Sequence, residues 1–129
     1  MDRKKILLIE HDEDTLFLLS NLLTKRGYAV QACHGGCDVV ELKHAVPDLV
    51  ILDKDLPTID GIAVCKFLRL RPESKTTPII MISGRPVRHV AKRAGVDAFL
   101  MKPFNLAELL ETVDRFFQQF RPTDSVAFA

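Results

Sequence analysis

In the stretch Leu49-Val-Ile-Leu-Asp53, four apolar residues run without a break into a carboxylate. The run lacks the apolar–polar alternation of a half-exposed strand, so we expect both faces of this strand to be buried. Ile6–Ile9 and Ile79–Ile82 are further runs of the same kind, and weaker strands are predicted at Ala29–Cys33 and Ala98–Met101. Strands that are buried on both faces are typical of a parallel sheet covered by helices.

Helical periodicity fills the intervals between these strands and the segment after the last one. The five predicted helices contain Leu16–Leu23, Val39–Val46, Ile62–Leu68, Val87–Ala94 and the residues that follow the N-cap Asn105. Five strands in strict alternation with five helices predict an α/β domain with a doubly wound parallel sheet and right-handed crossovers. We assign this domain to residues 1–121 and expect residues 122–129 to form a short flexible tail.

Composition excludes several classes of function. The 129 residues fit one domain, and the charge is balanced, with 18 basic and 17 acidic residues. This balance argues against binding to nucleic acid through bulk charge. The sequence contains neither a membrane-spanning stretch nor a signal peptide. Its three cysteines are an odd number, which favours reduced thiols in the cytoplasm.

Residues with reactive side chains follow the predicted strands. In a sheet of this kind, ligands bind beyond the carboxyl ends of the strands. The positions that immediately follow the strands hold Glu10, His11, Asp53, Asp55, Ser83 and Lys102. Asp53 alone would as often be a solvated loop residue or a helix cap, Lys102 alone is more often a surface lysine, and Ser83 alone is more often a turn residue. Their agreement on one edge of the sheet predicts a functional site.

This set of side chains suits the transfer of a phosphoryl group to a carboxylate. Asp53 is a competent covalent acceptor. A hard cation such as Mg²⁺ would offset the repulsion between the carboxylates and the incoming group. Lys102 would neutralise the phosphoryl oxygens, and the hydroxyl of Ser83 would donate to one of them. The turn between Pro57 and Gly61 is predicted to hold the end of the acceptor strand rigid.

The sequence resembles the receiver domain of bacterial two-component response regulators from Lys5 to about Phe120. The matching stretches are Ile6-Leu-Leu-Ile-Glu-His-Asp-Glu-Asp-Thr15, Pro47-Asp-Leu-Val-Ile-Leu-Asp-Lys-Asp-Leu-Pro57, Asp60-Gly61, Pro78-Ile-Ile-Met-Ile-Ser83 and Lys102-Pro-Phe104. The resemblance implies a flavodoxin-like sheet with the strand order 2-1-3-4-5.

The resemblance also implies roles for the residues of the acceptor and metal sites. Asp53 matches the phosphoacceptor. Glu10 and His11 match the acidic pair that binds Mg²⁺, and Asp55 matches the position whose backbone carbonyl binds the metal. The partner implied upstream is a histidine kinase or a phosphotransfer protein.

Four further residues match the switch and its support. Ser83 matches the hydroxyl residue that turns toward the phosphoryl group, and Lys102 matches the invariant lysine. Pro103 matches the proline that follows this lysine through a cis peptide. Phe99 matches the aromatic whose rotamer reports the active state, and its switch would be steric because it has no hydroxyl.

His11 is the main departure from the family pattern. An imidazole here replaces an acidic residue, and Mg²⁺ prefers oxygen donors to nitrogen donors. We therefore expect weaker binding of Mg²⁺ or a shift toward a metal such as Mn²⁺, unless Glu10 and Asp53 suffice. Asp12 is next in sequence, but strand alternation would point it elsewhere.

A second departure is the interval from Ser83 to Lys102, which is shorter than usual at nineteen positions. Its segment 84–93 is basic and contains no acid. We interpret this segment as a solvated helix face, with docking of an acidic partner as the alternative. The motif Cys33-His-Gly-Gly-Cys37 is a weak candidate for zinc, because a structural zinc site needs four ligands.

Three functions remain open. The first is a stand-alone receiver that signals to a protein partner and catalyses nothing beyond its own phosphorylation and dephosphorylation. The second is a pseudo-receiver that binds proteins without phosphorylation, which His11 favours. The third, a phosphatase with the Asp-x-Asp motif at Asp53 and Asp55, is disfavoured because such enzymes carry the motif on the first strand. We expect a monomer or a weak homodimer, to which Phe116 would contribute.

Overall fold

The central sheet of the protein matches the predicted sheet. The computed structural model describes residues 3–34 and 46–118. The strands are β1 (Lys5–Ile9), β2 (Ala29–Cys33), β3 (Leu49–Asp53), β4 (Ile79–Ser83) and β5 (Ala98–Met101). They form one sheet in the order β2-β1-β3-β4-β5, and every neighbouring pair is parallel. The doubly wound, flavodoxin-like topology is therefore confirmed.

Four of the five predicted helices lie in the described part of the chain. They are α1 (Glu13–Lys25), α2 (Gly61–Leu70), α3 (Arg88–Ala94) and α4 (Leu106–Phe117). The predicted helix Val39–Val46 falls on residues 35–45 except for its last position, and it lies outside the described residues, as does the predicted tail at 122–129.

Local sequence signals explain where these helices begin and end. The side chain of Asn105 caps α4 by accepting the backbone N–H of Ala107 at 2.7 Å. Gly27 and Gly95 follow α1 and α3 with φ angles of 103° and 100°. Only glycine adopts such left-handed angles at little cost, so both residues act as helix stops.

The core has one apolar layer on each side of the sheet. Leu49 and Ile51 of β3 pack in the layer that contains Leu19 and Leu23 of α1. Val50 and Leu52 pack in the opposite layer, against α2 and α3. All four side chains of the strand are fully buried. The prediction that both faces of β3 are buried is therefore confirmed, and this burial explains why its apolar run is uninterrupted.

The structure bears on two further features of the chain, the exposure of Phe116 and the character of its helices. Phe116 is partly buried against the layer that contains α4, so most of its ring supports the core. Among residues 3–34 and 46–118, no helix combines the length and the apolar character needed to cross a membrane.

Candidate phosphoacceptor site

Two buried carboxylates and a lysine meet at the carboxyl edge of the sheet. Glu10 follows β1 with 0% of its surface exposed, and Asp53 ends β3 with 1% exposed. Lys102, which follows β5, places its Nζ 3.2 Å from Oε1 of Glu10 and 3.6 Å from Oδ2 of Asp53. The parallel register brings these three strand ends to one edge, as the sequence predicted.

The two carboxylates differ in their affinity for a proton. Burial raises the pKa of Glu10, and a hydrogen bond with Asp53 raises it further. Burial also acts to raise the pKa of Asp53, but hydrogen bonds from Glu10 and from the backbone N–H of Asp55 outweigh it. The positive charge of Lys102 acts in the same direction, so the pKa of Asp53 is lowered. The carboxyl of Asp53 therefore binds a proton less readily than that of Glu10, as a nucleophile requires.

Lys102 is held in its charged form by the same pair. Burial alone would lower the pKa of Lys102, but the charges of Glu10 and Asp53 raise it above its ordinary value. Its backbone N–H donates to the carbonyl of Ser83 at 2.8 Å, which ties β5 to the end of β4. The peptide bond between Lys102 and Pro103 is cis, as predicted.

The imidazole of His11 lies against both carboxylates. Its Nδ1 is 2.9 Å from Oδ2 of Asp53 and 3.4 Å from Oε2 of Glu10. The side chain is 42% exposed, so it forms the solvent side of the site. Within the described residues, Glu10, His11 and Asp53 form the one cluster of potential ligand side chains that is close enough to hold a metal ion.

Asp12 does not take the place of the acid that His11 replaces. Its carboxylate caps α1, accepting the backbone N–H of Thr15 at 2.9 Å and the hydroxyl of Thr15 at 2.6 Å. Its own N–H donates to Oε2 of Glu10 at 3.0 Å. Asp12 thus supports Glu10 through its backbone, while its side chain is committed to the helix end.

Asp55 and Ser83 form a pair beside the acceptor. The backbone N–H of Asp55 donates to Oδ1 of Asp53 at 3.0 Å, and its carboxylate accepts the hydroxyl of Ser83 at 3.3 Å. The hydroxyl oxygen of Ser83 also accepts the N–H of Arg85 at 3.1 Å. The role predicted for the carbonyl of Asp55 in metal binding stays a prediction.

Phe99 is buried and covered by a cation. Only 8% of Phe99 is exposed. The guanidinium of Arg88, on α3, lies 5.2 Å from the centre of its ring. Phe99 and the basic segment that contains Arg88 were both predicted from the sequence, but this contact was not, because a cation–π pair between a helix and a strand has no signature in spacing.

The turn after the acceptor strand is closed by Gly61. Its N–H donates to the carbonyl of Lys54 at 2.7 Å. Asp60 caps α2 by accepting the N–H of Ile62 at 2.8 Å, and it pairs with Nζ of Lys54 at 3.1 Å. Neither the cap nor the ion pair was predicted from the sequence, although an acid directly before the first residue of a helix is a recognisable signal for the cap.

The donor atoms of this edge fit a divalent cation. The two buried carboxylates of Glu10 and Asp53 face a single lysine, so these three side chains together carry excess negative charge. Carboxylate oxygens are also the donors that Mg²⁺ prefers. The third donor, Nδ1 of His11, is the atom that departs from this preference. Cys37 of the motif considered for zinc lies outside the described residues.

The sequence matches a known family of proteins. The profile of the response regulator receiver domain matches residues 6–114. The chain is 34% identical over 122 residues to the phosphate regulon transcriptional regulatory protein PhoB of Rhizobium meliloti, covering 92% of this chain and 54% of that protein. It is 30% identical over 125 residues to the response regulator MprA of Mycobacterium bovis, covering 94% of this chain and 54% of that protein. It thus spans about half the length of these relatives.

The solved structures that resemble this fold come from the same family as the sequence relatives. The chemotaxis response regulator CheY4 of Vibrio cholerae superposes with a TM-score of 0.83 at 27% identity, covering 89% of this chain and 99% of that one. The receiver domain of a sensor histidine kinase from Pseudomonas aeruginosa, which has magnesium coordinated in its active-site cleft, superposes with a TM-score of 0.81. It is 26% identical and covers 89% of this chain and 98% of its own. The chain therefore belongs to the response regulator receiver domain family.

Proposed function

We propose that this receiver domain accepts a phosphoryl group on Asp53 from a phosphohistidine of a histidine kinase or a phosphotransfer protein in the cytoplasm. The observation that carries the proposal is the buried Asp53 carboxylate with Nζ of Lys102 at 3.6 Å. An ionised, desolvated carboxylate is a nucleophile, and an adjacent ammonium stabilises the charge that collects on the phosphoryl oxygens.

The transfer requires one bond to form as another breaks. An oxygen of Asp53 attacks phosphorus, and the bond between phosphorus and the donor's histidine nitrogen breaks with its electron pair left on the imidazole. Lys102 then faces the phosphoryl oxygens as well as Glu10. A divalent cation bound by Glu10 and Asp53 would offset the negative charge shared by the carboxylates and the phosphoryl group.

The signal would pass through a change of partner at Ser83. Its hydroxyl donates to Asp55 at 3.3 Å, and a phosphoryl group on Asp53 would offer a more highly charged acceptor. Movement of Ser83 would shift Arg85, whose N–H it accepts, and the start of α3. Because Arg88 of α3 covers Phe99, this shift would alter the surface formed by α3 and β5.

We propose a protein partner for this surface, and no turnover of external substrates. The relatives are nearly twice as long as the matched region, which covers 54% of each, and one is named a transcriptional regulatory protein. A linked output domain and a separate protein would both receive the signal through contacts with the domain, without direct binding of nucleic acid by the domain itself.

Intact-protein mass spectrometry tests the proposal. With a small-molecule phosphodonor and a divalent cation, the wild-type protein should gain the mass of one phosphoryl group. Asp53→Asn should abolish the gain, because an amide is a poor nucleophile. Asp48→Asn is the matched control, since Asp48 binds the N–H of Lys5 at the opposite end of β1 and should not affect the gain.

The hydrogen bond between His11 and Asp53 favours one alternative, a pseudo-receiver. At 2.9 Å the imidazole engages an oxygen of the acceptor, and a stable bond of this kind would compete with phosphorylation. Absence of any mass gain across a range of Mg²⁺ and Mn²⁺ concentrations would reject the phosphoacceptor and favour the binding module. Turnover of a generic phosphate ester would instead favour a phosphatase.

A further inference from the structure

We propose that the cation of this site is a first-row transition metal, bound by Nδ1 of His11 together with the carboxylates of Glu10 and Asp53. The inference deepens the proposed function. It rests on one premise of that function, which is that a divalent cation binds at this edge of the sheet. It assigns His11 a specific task, which is to select the metal.

The spacing of the three donors suits a shared metal. Nδ1 of His11 lies 2.9 Å from Oδ2 of Asp53 and 3.4 Å from Oε2 of Glu10. All three ligand atoms lie within 4.8 Å of one another. Donors about 2.1 Å from one metal are about 3.0 Å apart at a right angle and about 3.4 Å apart at a tetrahedral angle. The two separations from Nδ1 are therefore compatible with neighbouring positions in a coordination sphere.

The chemistry of the donors sets the preference. Mg²⁺ is a hard ion that favours oxygen ligands, whereas an imidazole suits Zn²⁺, Fe²⁺, Ni²⁺ and related ions. For mixed nitrogen and oxygen donors, affinity rises from Mn²⁺ through Co²⁺ and Ni²⁺ to Cu²⁺. Replacing a carboxylate with an imidazole also removes one negative charge, which weakens the attraction for Mg²⁺ without removing a donor that transition metals use.

The neighbouring Asp12 does not supply the missing oxygen. The carboxylate of Asp12 is committed to Thr15 at the start of α1. The backbone of His11 is also fixed, because Nε2 of His34 lies 2.7 Å from its carbonyl oxygen. His11 is thus held beside the buried pair, with its Nδ1 facing the two carboxylates.

Metal titration without any phosphodonor tests the inference. The affinity of the protein for Co²⁺, followed by visible absorption, is compared with the affinity for Mg²⁺, obtained by competition. The wild-type protein should prefer Co²⁺, and His11→Asp should reduce the ratio of the two affinities about tenfold or more. His11→Ala should also lower the affinity for Co²⁺, and it guards against misfolding caused by a third acid. His89→Gln, on α3 and outside the site, is the control and should leave the ratio unchanged.

A second readout reports ligation directly. In ¹⁵N-labelled protein, the diamagnetic ion Zn²⁺ should shift the Nδ1 resonance of His11 on binding and leave the ring resonances of His89 in place. An equal ratio of affinities in wild type and His11→Asp, or an unshifted Nδ1 resonance with Zn²⁺ bound, would overturn the inference. The proposed function would stand in that case if Asp53 is still phosphorylated with Mg²⁺, so the two failures are distinguishable.

Discussion

Lys102→Ala is expected to slow the phosphorylation of Asp53 about 100-fold or more, the effect typical of removing one preorganised group that stabilises a transition state. The ammonium lies 3.2 Å from Glu10 and 3.6 Å from Asp53, and it is the partner that offsets the charge of both. Without it, the two buried carboxylates repel each other and the incoming phosphoryl group alike.

The rate of mass gain with a small phosphodonor measures this effect. Lys92→Ala removes an exposed lysine of α3 and should leave the rate unchanged. Lys102→Arg keeps the charge but not the compact ammonium, so an intermediate rate is expected. A Lys102→Ala protein that reacts as fast as wild type would show that the lysine has no part in the transfer.

Gly61→Ala is expected to destabilise the protein by about 3 kcal/mol, at the upper end of the cost of overpacking. A Cβ at this position would lie 2.5 Å from the carbonyl oxygen of Asp53 and 2.6 Å from Cα of Lys54. Alanine in a helix is favoured over glycine by about 1 kcal/mol, so the steric cost exceeds the gain in propensity. The obstacle is backbone, which cannot swing aside as a side chain would.

Urea unfolding measures the loss, and Gly84→Ala provides the matched control. A Cβ at Gly84 has no atom within 4 Å, so this substitution should change the free energy of unfolding by less than about 0.5 kcal/mol. Since the clash falls on the acceptor residue itself, Gly61→Ala should also reduce phosphorylation of the fraction that folds. Equal stability of the two variants would contradict the close approach of α2 to the end of β3.

The sequence predicted the parts of the site that depend on the sheet. The apolar run of β3 predicts a strand buried on both faces, and a parallel sheet brings the residues after its strands to one edge. These two rules together place Glu10, Asp53 and Lys102 side by side. They work because the positions of strand ends follow from periodicity and topology, which are encoded locally.

Side-chain directions could not be predicted in the same way. The hydroxyl of Ser83 donates to the carboxylate of Asp55, and the guanidinium of Arg88 covers the ring of Phe99. Both contacts join residues from separate elements of the fold. Spacing along the chain carries no record of such contacts. Asp12 is a partial exception, since an aspartate directly before Glu13 and Asp14 is a recognisable start of a helix.

The most direct test of the central claim is to locate the phosphoryl group. After treatment with a phosphodonor and either Mg²⁺ or Co²⁺, borohydride reduction converts an aspartyl phosphate to homoserine, and peptide mass spectrometry identifies the position. We expect homoserine at residue 53 in the wild-type protein and at no position in Asp53→Asn. Homoserine at another aspartate, or none at residue 53 with either metal, would contradict the claim.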